Sequence, residues 1–146
     1  MITTLNVQNI DETVEMALDL WPGHTFEQMK SEFDSMLGSV KAKVFVYGIE
    51  NKSVGFLHMS LRSDYVEGST SSPVAYVEGV YVKQDYRTKG VAKELLKEGE
   101  EWAKINGCSQ IASDIEQGNE DSYQFHHKSG FSEANRIICF IKDLHL

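Results

Sequence analysis

The sequence predicts an α+β fold in which one mixed β-sheet is flanked by helices. The 146 residues amount to 16.5 kDa, enough for one hydrophobic core, and we expect a single domain over residues 1–146. Patterns typical of helices and strands follow one another in the order α-α-β-β-β-α-β-α-β. That order suggests helices packed around one mixed sheet.

The first half of the chain is predicted to form two helices and two strands. Residues 11–20 have a helical pattern, which Trp21-Pro22-Gly23 interrupts. Thr25 can cap a second helix. Its apolar residues recur at helical spacing, namely Phe26, Met29, Phe33, Met36 and Leu37. Strands are expected at 43–48 and 53–61, joined by a turn at residues 50–52. The polar loop at 62–73 is long, and such loops are often functional.

The second half is predicted to contain a strand at 74–82 and a helix at 88–104. Val91, Leu95, Leu96, Gly99 and Trp102 lie on one side of that helix, which ends at Asn106-Gly107. A strand at 110–114 follows. Asn119 or Asp121 can cap a last helix that reaches Lys128, and Gly130 closes it. A final strand is expected at 136–142.

Composition narrows the possible partners. A formal net charge of −8 makes nucleic acid an improbable partner, because binding it requires many basic side chains. No apolar run reaches membrane-spanning length, and the N-terminus lacks a signal-peptide pattern, so we expect a cytoplasmic protein. Cys108 and Cys139 are far apart in sequence and are expected to be buried free thiols in a reducing compartment.

The most informative segment runs from Val77 to Ala92. An apolar strand leads into a short polar turn, which ends in Arg87-x-x-Gly90-x-Ala92 at the start of a helix. Small residues let the backbone approach a ligand closely, and N–H groups at a helix start attract anions. The chain lacks both G-x-x-x-x-G-K-[ST] and G-x-G-x-x-G, which argues against a P-loop enzyme and a dinucleotide fold. A phosphate-bearing carrier is therefore expected, and an ordinary β–α turn is the alternative.

Two motifs resemble those of the GNAT acetyltransferases. The order Arg87-x-x-Gly90-x-Ala92 resembles their pyrophosphate loop, and Asn119-x-x-Ser122 before Gly130-Phe131 looks like their second motif. Further segments are similar to the aminoglycoside 6'-N-acetyltransferases, namely residues 20–24, 65–68, 72–75, 77–79, 101–104, 112–114 and 119–131. They extend across almost the whole chain. The resemblance implies transfer of an acetyl group from acetyl-CoA to the 6'-amine of an aminoglycoside, which confers antibiotic resistance.

The resemblance also implies the binding residues. Substrate contacts would be Trp21, Tyr65, Glu78 and Asp114, with a fifth in doubt at Asn135, where relatives often carry an acid. Acetyl-CoA would lie against Val80, Tyr81, Val82, Arg87, Thr88, Lys89, Gly90, Val91, Ala92 and Asn119. A homodimer is implied as well, and its C-terminal strands can contribute across the interface.

The expected chemistry is attack by a primary amine on the thioester carbonyl. The amine must first lose a proton, so Glu78 either acts as the base or holds the cation, and Asp114 is expected to hold it. A backbone N–H at Val80 can stabilise the oxyanion. His126 stands where many relatives have a tyrosine thought to protonate the leaving thiolate. His126 and His127 cannot share one helix face, and without further ligands we predict no metal site.

Alternatives remain open at this point. The same fold could acetylate another amine, such as a polyamine or a protein N-terminus. It could also bind acetyl-CoA without turnover. The acids Asp64, Glu67, Glu78, Asp114 and Glu116 either form a negative cleft or are solvated independently.

Overall fold

The computed structural model describes residues 1–145, and Leu146, the last residue of the predicted domain, lies outside the described residues. Its strands are β1 (Ile2–Thr4), β2 (Ala42–Ile49), β3 (Lys52–Arg62), β4 (Val74–Val82) and β5 (Ile111–Ser113). Its α-helices are α1 (Ile10–Leu20), α2 (Phe26–Met36), α3 (Val91–Ile105) and α4 (Glu120–Lys128). The strands form one sheet in the order β1-β2-β3-β4-β5, antiparallel except for the parallel β4–β5 pair. The predicted α+β fold with a mixed sheet in a single domain is confirmed.

Each face of the sheet has its own apolar core, because side chains alternate along a strand. On one face Leu57 and Met59 of β3 pack with Leu95 of α3. On the other face Phe56 packs with Val14 of α1 and Phe33 of α2. Residues of β3 with even numbers therefore share the face covered by α1 and α2.

The connection between α1 and α2 places an aromatic side chain against β4. Helix α1 ends at Leu20, and the backbone N–H of its C-cap residue, Trp21, donates to the carbonyl of Ala17. Thr25 then starts α2 through a reciprocal capping box with Gln28, as predicted for the cap. The Trp21 ring lies 6.2 Å from the Phe56 ring, and an added Cβ at Gly79 would lie 2.4 Å from Trp21. A glycine is needed at position 79 because the indole fills the space above it.

The pairing of β3 with β4 is interrupted by a bulge at Glu78. Val77 pairs with Met59 and Gly79 pairs with His58, so Glu78 is the extra residue between them. Val77 contributes to the core under α3, whereas the next two residues face the α1–α2 side. The bulge thus turns a carboxylate onto the face where the α1–α2 connection lies.

The predicted final strand at 136–142 is wrong for this chain. Residues 131–145 form neither helix nor strand, and nearly all of them are exposed. Large apolar side chains lie among them with exposed fractions of 68–97%, namely Ile137, Ile138, Phe140, Ile141 and Leu144. A strand requires a pairing partner, and no strand of the sheet pairs with this segment within residues 1–145.

Other expectations need smaller corrections. The sequence analysis missed β1, which pairs with β2, and a short 3-10 helix at Gln84–Tyr86. Helix α3 begins at Val91 rather than at residue 88, because Thr88 and Gly90 both have positive φ. Cys108 is buried, but Cys139 is exposed because it lies in the unpaired C-terminal segment. None of the helices within residues 1–145 has the length and apolar character needed to cross a membrane.

Candidate active site

The loop between β4 and α3 forms an open anion cradle. Gly90, at φ +86°, is the N-cap of α3, and a Cβ added there would meet no atom within 4 Å. The first intrahelical bond runs from the Glu94 N–H to the Gly90 carbonyl, so the N–H groups that precede Glu94 have no partner in the helix. These donors and the helix dipole suit a phosphate group.

Arg87 ties the loop to β4. Its Nε donates to the Val82 carbonyl at 2.7 Å, and its guanidinium lies 5.5 Å from the centroid of the Tyr81 ring. Thr88 has φ of +61°, and its hydroxyl donates to the Arg87 carbonyl at 2.6 Å. The predicted cofactor-binding residues of the strand and the loop therefore lie side by side.

The second half of β4 has a free edge. β5 pairs only with Ala75, Tyr76 and Val77, whereas β4 continues to Val82. From Glu78 onward the strand pairs with β3 on one side only. The backbone groups of this stretch that point away from β3 are thus available to a ligand, as β-strand geometry allows.

The Glu78 carboxylate is held by two side chains of β3. Arg62 donates from Nη2 to both carboxylate oxygens at 2.9 Å and from Nε to Oε2 at 3.1 Å. The Ser60 hydroxyl also donates to Oε2. The Glu78 side chain remains 25% exposed, so a substrate can still reach it.

Asp114 is linked to the same cluster through Tyr76. The Tyr76 hydroxyl donates to Asp114, and the Arg62 guanidinium lies 3.5 Å from the centroid of the Tyr76 ring. Burial, and then the Asp114 carboxylate, raise the pKa of Tyr76 far above its usual range. Tyr76 therefore stays a neutral hydrogen-bond donor that orients Asp114.

His126 is fixed between α4 and the end of β5. Its Nδ1 lies 2.7 Å from the Ser122 carbonyl oxygen, which can only accept, so Nδ1 is the donor. In the neutral ring Nε2 then accepts from the Ser113 hydroxyl at 2.7 Å. Asn119, three residues before Ser122, accepts the Ser122 N–H and caps α4. His126 is thus joined to the residue next to Asp114.

A cavity of about 280 Å³ opens between the α1–α2 connection and the sheet. Its walls combine aromatic, carboxylate and imidazole groups, from Trp21, His24, Met29, Glu32, Phe33, Met36, His58 and Glu78. Burial lowers the pKa of His58, and the charges of Glu78 and Glu32 partly oppose that effect. Carboxylates beside aromatic faces suit a cationic ligand.

Tyr65 and Asn135 come together elsewhere. Both contact Glu67, at 3.4 Å from the Tyr65 hydroxyl and 2.6 Å from the Asn135 amide. Tyr65 is 78% exposed. Tyr65 and Asn135 thus meet at Glu67, where the loop that follows β3 contacts the C-terminal segment.

The sequence analysis missed several partners of the predicted residues: Ser60, Arg62, Tyr76 and Ser113. A signal for two of them was present, since the polar Ser60 and Arg62 alternate with the apolar Met59 and Leu61. Their contact with Glu78 could not be predicted, because it depends on the bulge. Across residues 1–145, no three His, Cys, Asp or Glu side chains form a group that could hold a metal ion.

Comparison with known proteins identifies relatives along the whole chain. The sequence model of the Acetyltransferase (GNAT) family matches residues 10–131. The aminoglycoside N(6')-acetyltransferase type 1 of Serratia marcescens is 37% identical over 145 residues, which is 99% of either chain. The corresponding protein of Salmonella typhimurium is 33% identical over 141 residues, 97% of either chain.

Solved structures of related acetyltransferases share the fold of this chain. The aminoglycoside antibiotic 6'-N-acetyltransferase of Acinetobacter haemolyticus, in its apo form, has a TM-score of 0.94 at 28% identity and 99% coverage of both chains. AAC(6')-Iy in complex with the bisubstrate analogue CoA-S-monomethyl-acetylneamine also has a TM-score of 0.94. Its identity is 31%, with 99% of this chain and 98% of that chain covered.

Proposed function

The chain belongs to the acetyltransferase (GNAT) family, and we propose that it transfers the acetyl group of acetyl-CoA to the 6'-amine of aminoglycoside antibiotics. Relatives named for this activity match the chain from end to end at 28–37% identity. Acetylation removes a positive charge from the antibiotic, so we expect the enzyme to confer resistance.

One observation about the site carries the proposal. Glu78 is a partly exposed carboxylate in the wall of an aromatic cavity, at the point where β4 loses its pairing with β5. A protonated amine in the cavity would meet this carboxylate, and the free edge of β4 begins beside it. The acceptor site and the expected acetyl-CoA site therefore share a boundary at one residue.

The residues of the chain would divide the chemistry as follows. Glu78 accepts a proton from the ammonium, directly or through one water, or holds it in place. Asp114, oriented by Tyr76, holds a cationic group of the acceptor. The Val80 N–H donates to the carbonyl oxygen as negative charge develops there. His126 in its protonated form would donate from Nε2 to the Ser113 hydroxyl, whose own proton passes to the leaving sulfur, and exchange with solvent then restores Glu78 and His126.

Acetyl-CoA supplies the thioester carbonyl when it is bound. The residues present fit its pyrophosphate, because the α3 N-terminus offers unpaired N–H groups and nothing lies within 4 Å of a Cβ at Gly90. The loop from Arg87 to Ala92 would hold the phosphates. Val80, Tyr81, Val82 and Asn119 would line the pantetheine arm.

We also propose a homodimer that acts in the cytoplasm. The C-terminal segment 132–145 exposes five large apolar side chains, a pattern typical of a surface that another chain covers. Packing of the two segments between two copies would remove them from water. The free thiol of the exposed Cys139 is compatible with a reducing compartment.

The test is thiol release from acetyl-CoA with tobramycin and with paromomycin, which bears a hydroxyl at the 6' position. We expect turnover with tobramycin and little with paromomycin, because the hydroxyl is a far weaker nucleophile at neutral pH. Equal turnover with both would place the acetylated amine elsewhere. Spermidine and a peptide with a free N-terminus serve as controls, and faster turnover of either would contradict the aminoglycoside assignment.

A further inference from the structure

The Glu78 carboxylate is already paired, although it lines an open cavity. A carboxylate has about four acceptor positions. Oε2 takes the Ser60 hydroxyl and two N–H groups of Arg62, and Oε1 takes one N–H of Arg62. An ammonium that arrives at Glu78 therefore meets a cation that belongs to the protein.

The surrounding sheet holds Arg62 in this position. Ser60 and Arg62 are two residues apart on β3 and project to the same face, and the bulge turns Glu78 toward that face. The aromatic ring of Tyr76 lies beneath the guanidinium at 3.5 Å, a cation–π arrangement. Tyr76 in turn donates to Asp114. The guanidinium is thus linked to both carboxylates that are proposed to hold the acceptor.

The pair can nevertheless exchange. The Arg62 side chain is 43% exposed, and an ion pair that is partly open to water contributes little net stability. Arginine cannot leave by losing its proton, because it stays charged at any pH that the protein tolerates. The side chain can leave Glu78 only by swinging into solvent, where its charge is hydrated.

We propose that Arg62 competes with the acceptor for Glu78, as a counterion that occupies the carboxylate until an ammonium group of the acceptor displaces it. The inference rests on the proposed transfer at Glu78. A monoamine exchanges one cation for another and gains little. An acceptor with several ammonium groups also pairs with further carboxylates, such as Glu32 in the cavity and Asp114, so its combined contacts displace the guanidinium. Arg62 thus lowers the affinity for every acceptor by the same factor, and acceptors bind well only when further contacts offset that cost.

The experiment compares neamine with methyl 6-amino-6-deoxyglucoside, a sugar that carries a single amine, as acceptors for the wild type and Arg62→Gln. We expect KM for neamine and KM for the monoamine to fall by a similar factor, roughly fivefold, because each acceptor must displace the same guanidinium and a partly exposed ion pair is weak. The preference for neamine in kcat/KM should stay within about twofold of wild type, because a shared cost cancels from a difference of two affinities. Lys104→Gln, which removes a surface cation paired with Glu101, is the matched control and should leave both KM values unchanged.

KM values that stay within about twofold of wild type for both acceptors in Arg62→Gln would overturn the inference. So would a higher KM for both acceptors, since Arg62 would then support Glu78 rather than compete for it.

The wild type provides a second test that does not depend on the folding of a variant. Neamine added with CoA should shift the Arg62 Nε–H resonance in ¹⁵N spectra, while the monoamine at equal concentration should not. An unshifted resonance at saturating neamine also overturns it. Absence of neamine turnover by the wild type would overturn the proposed function and the inference together, whereas neamine turnover with unchanged KM values in Arg62→Gln overturns the inference alone.

Discussion

At the scale of single residues, the Glu78 carboxylate is proposed to accept a proton from the acceptor amine or to hold the ammonium. It also pairs with Arg62, and a conservative substitution separates the functional roles from this structural one. Glu78→Gln keeps the shape and one oxygen acceptor but removes the charge. We expect kcat/KM for the acceptor to fall about 100-fold or more, within the range typical of a lost general base. Because the Glu78 and Arg62 side chains are 25% and 43% exposed, we expect the melting temperature to change little.

The control for this change is Glu101→Gln on α3, which also removes the acid of an exposed ion pair, with Lys104. It should leave turnover unchanged. If Glu78→Gln keeps kcat/KM within about threefold of wild type while the control behaves as expected, neither proton transfer nor cation binding at Glu78 is needed.

The residue scale also shows what a sequence can and cannot reveal about the site. Glu78 stands out as an acid at the end of an apolar run and Asp114 as an acid at the end of a strand, so both could be proposed from the sequence. Arg62 and Tyr76 could not, because their contacts depend on the pairing of β3 with β4 and on which face each side chain takes. A bulge shifts that register by one residue and is not marked by any residue type here.

At the scale of elements, the α1–α2 connection packs directly against β4 because Gly79 has no side chain and the Trp21 ring fills that space. In Gly79→Ala the new Cβ would lie 2.4 Å from the Trp21 ring and 3.1 Å from Leu20. We expect a loss of about 1–3 kcal/mol of stability from overpacking. KM for the acceptor should rise as well, because Trp21 lines the cavity and must move. Thermal unfolding and acceptor kinetics measure the two effects.

The matched control is Gly99→Ala in α3, whose Cβ would lie 2.8 Å from Leu57 in the other core. It changes packing on the opposite face of the sheet, so KM for the acceptor should be unaffected. An unchanged KM in Gly79→Ala would show that the position of Trp21 is irrelevant to acceptor binding.

Elements were predicted well wherever local pattern and tertiary pairing agree. The strand at 74–82 matches β4 residue for residue, and α4 ends at Lys128 as expected. The segment 136–142 has the same apolar character but pairs with no strand within residues 1–145. Its composition indicates a tendency to pair as a β-strand. Composition does not indicate whether the partner strand belongs to the same chain or to another one.

At the scale of the whole molecule, the C-terminal segment is the part that the isolated chain does not bury. Each large apolar side chain there contributes about 1.5–3 kcal/mol if it is removed from water. We therefore expect sedimentation at micromolar concentration to give twice the chain mass of 16.5 kDa. The double substitution Ile138→Asp with Phe140→Asp should shift the protein to 16.5 kDa, because both side chains are more than 80% exposed in one copy and would become buried charges at the interface.

Ile105→Asp provides the control, since Ile105 is 82% exposed at the end of α3, outside the C-terminal segment. It adds the same kind of charge and should leave the dimer intact. A wild-type protein that sediments at 16.5 kDa would contradict the dimer. A dimer that survives the double substitution would instead place the interface on another surface, and the apolar C-terminal segment would need a different partner.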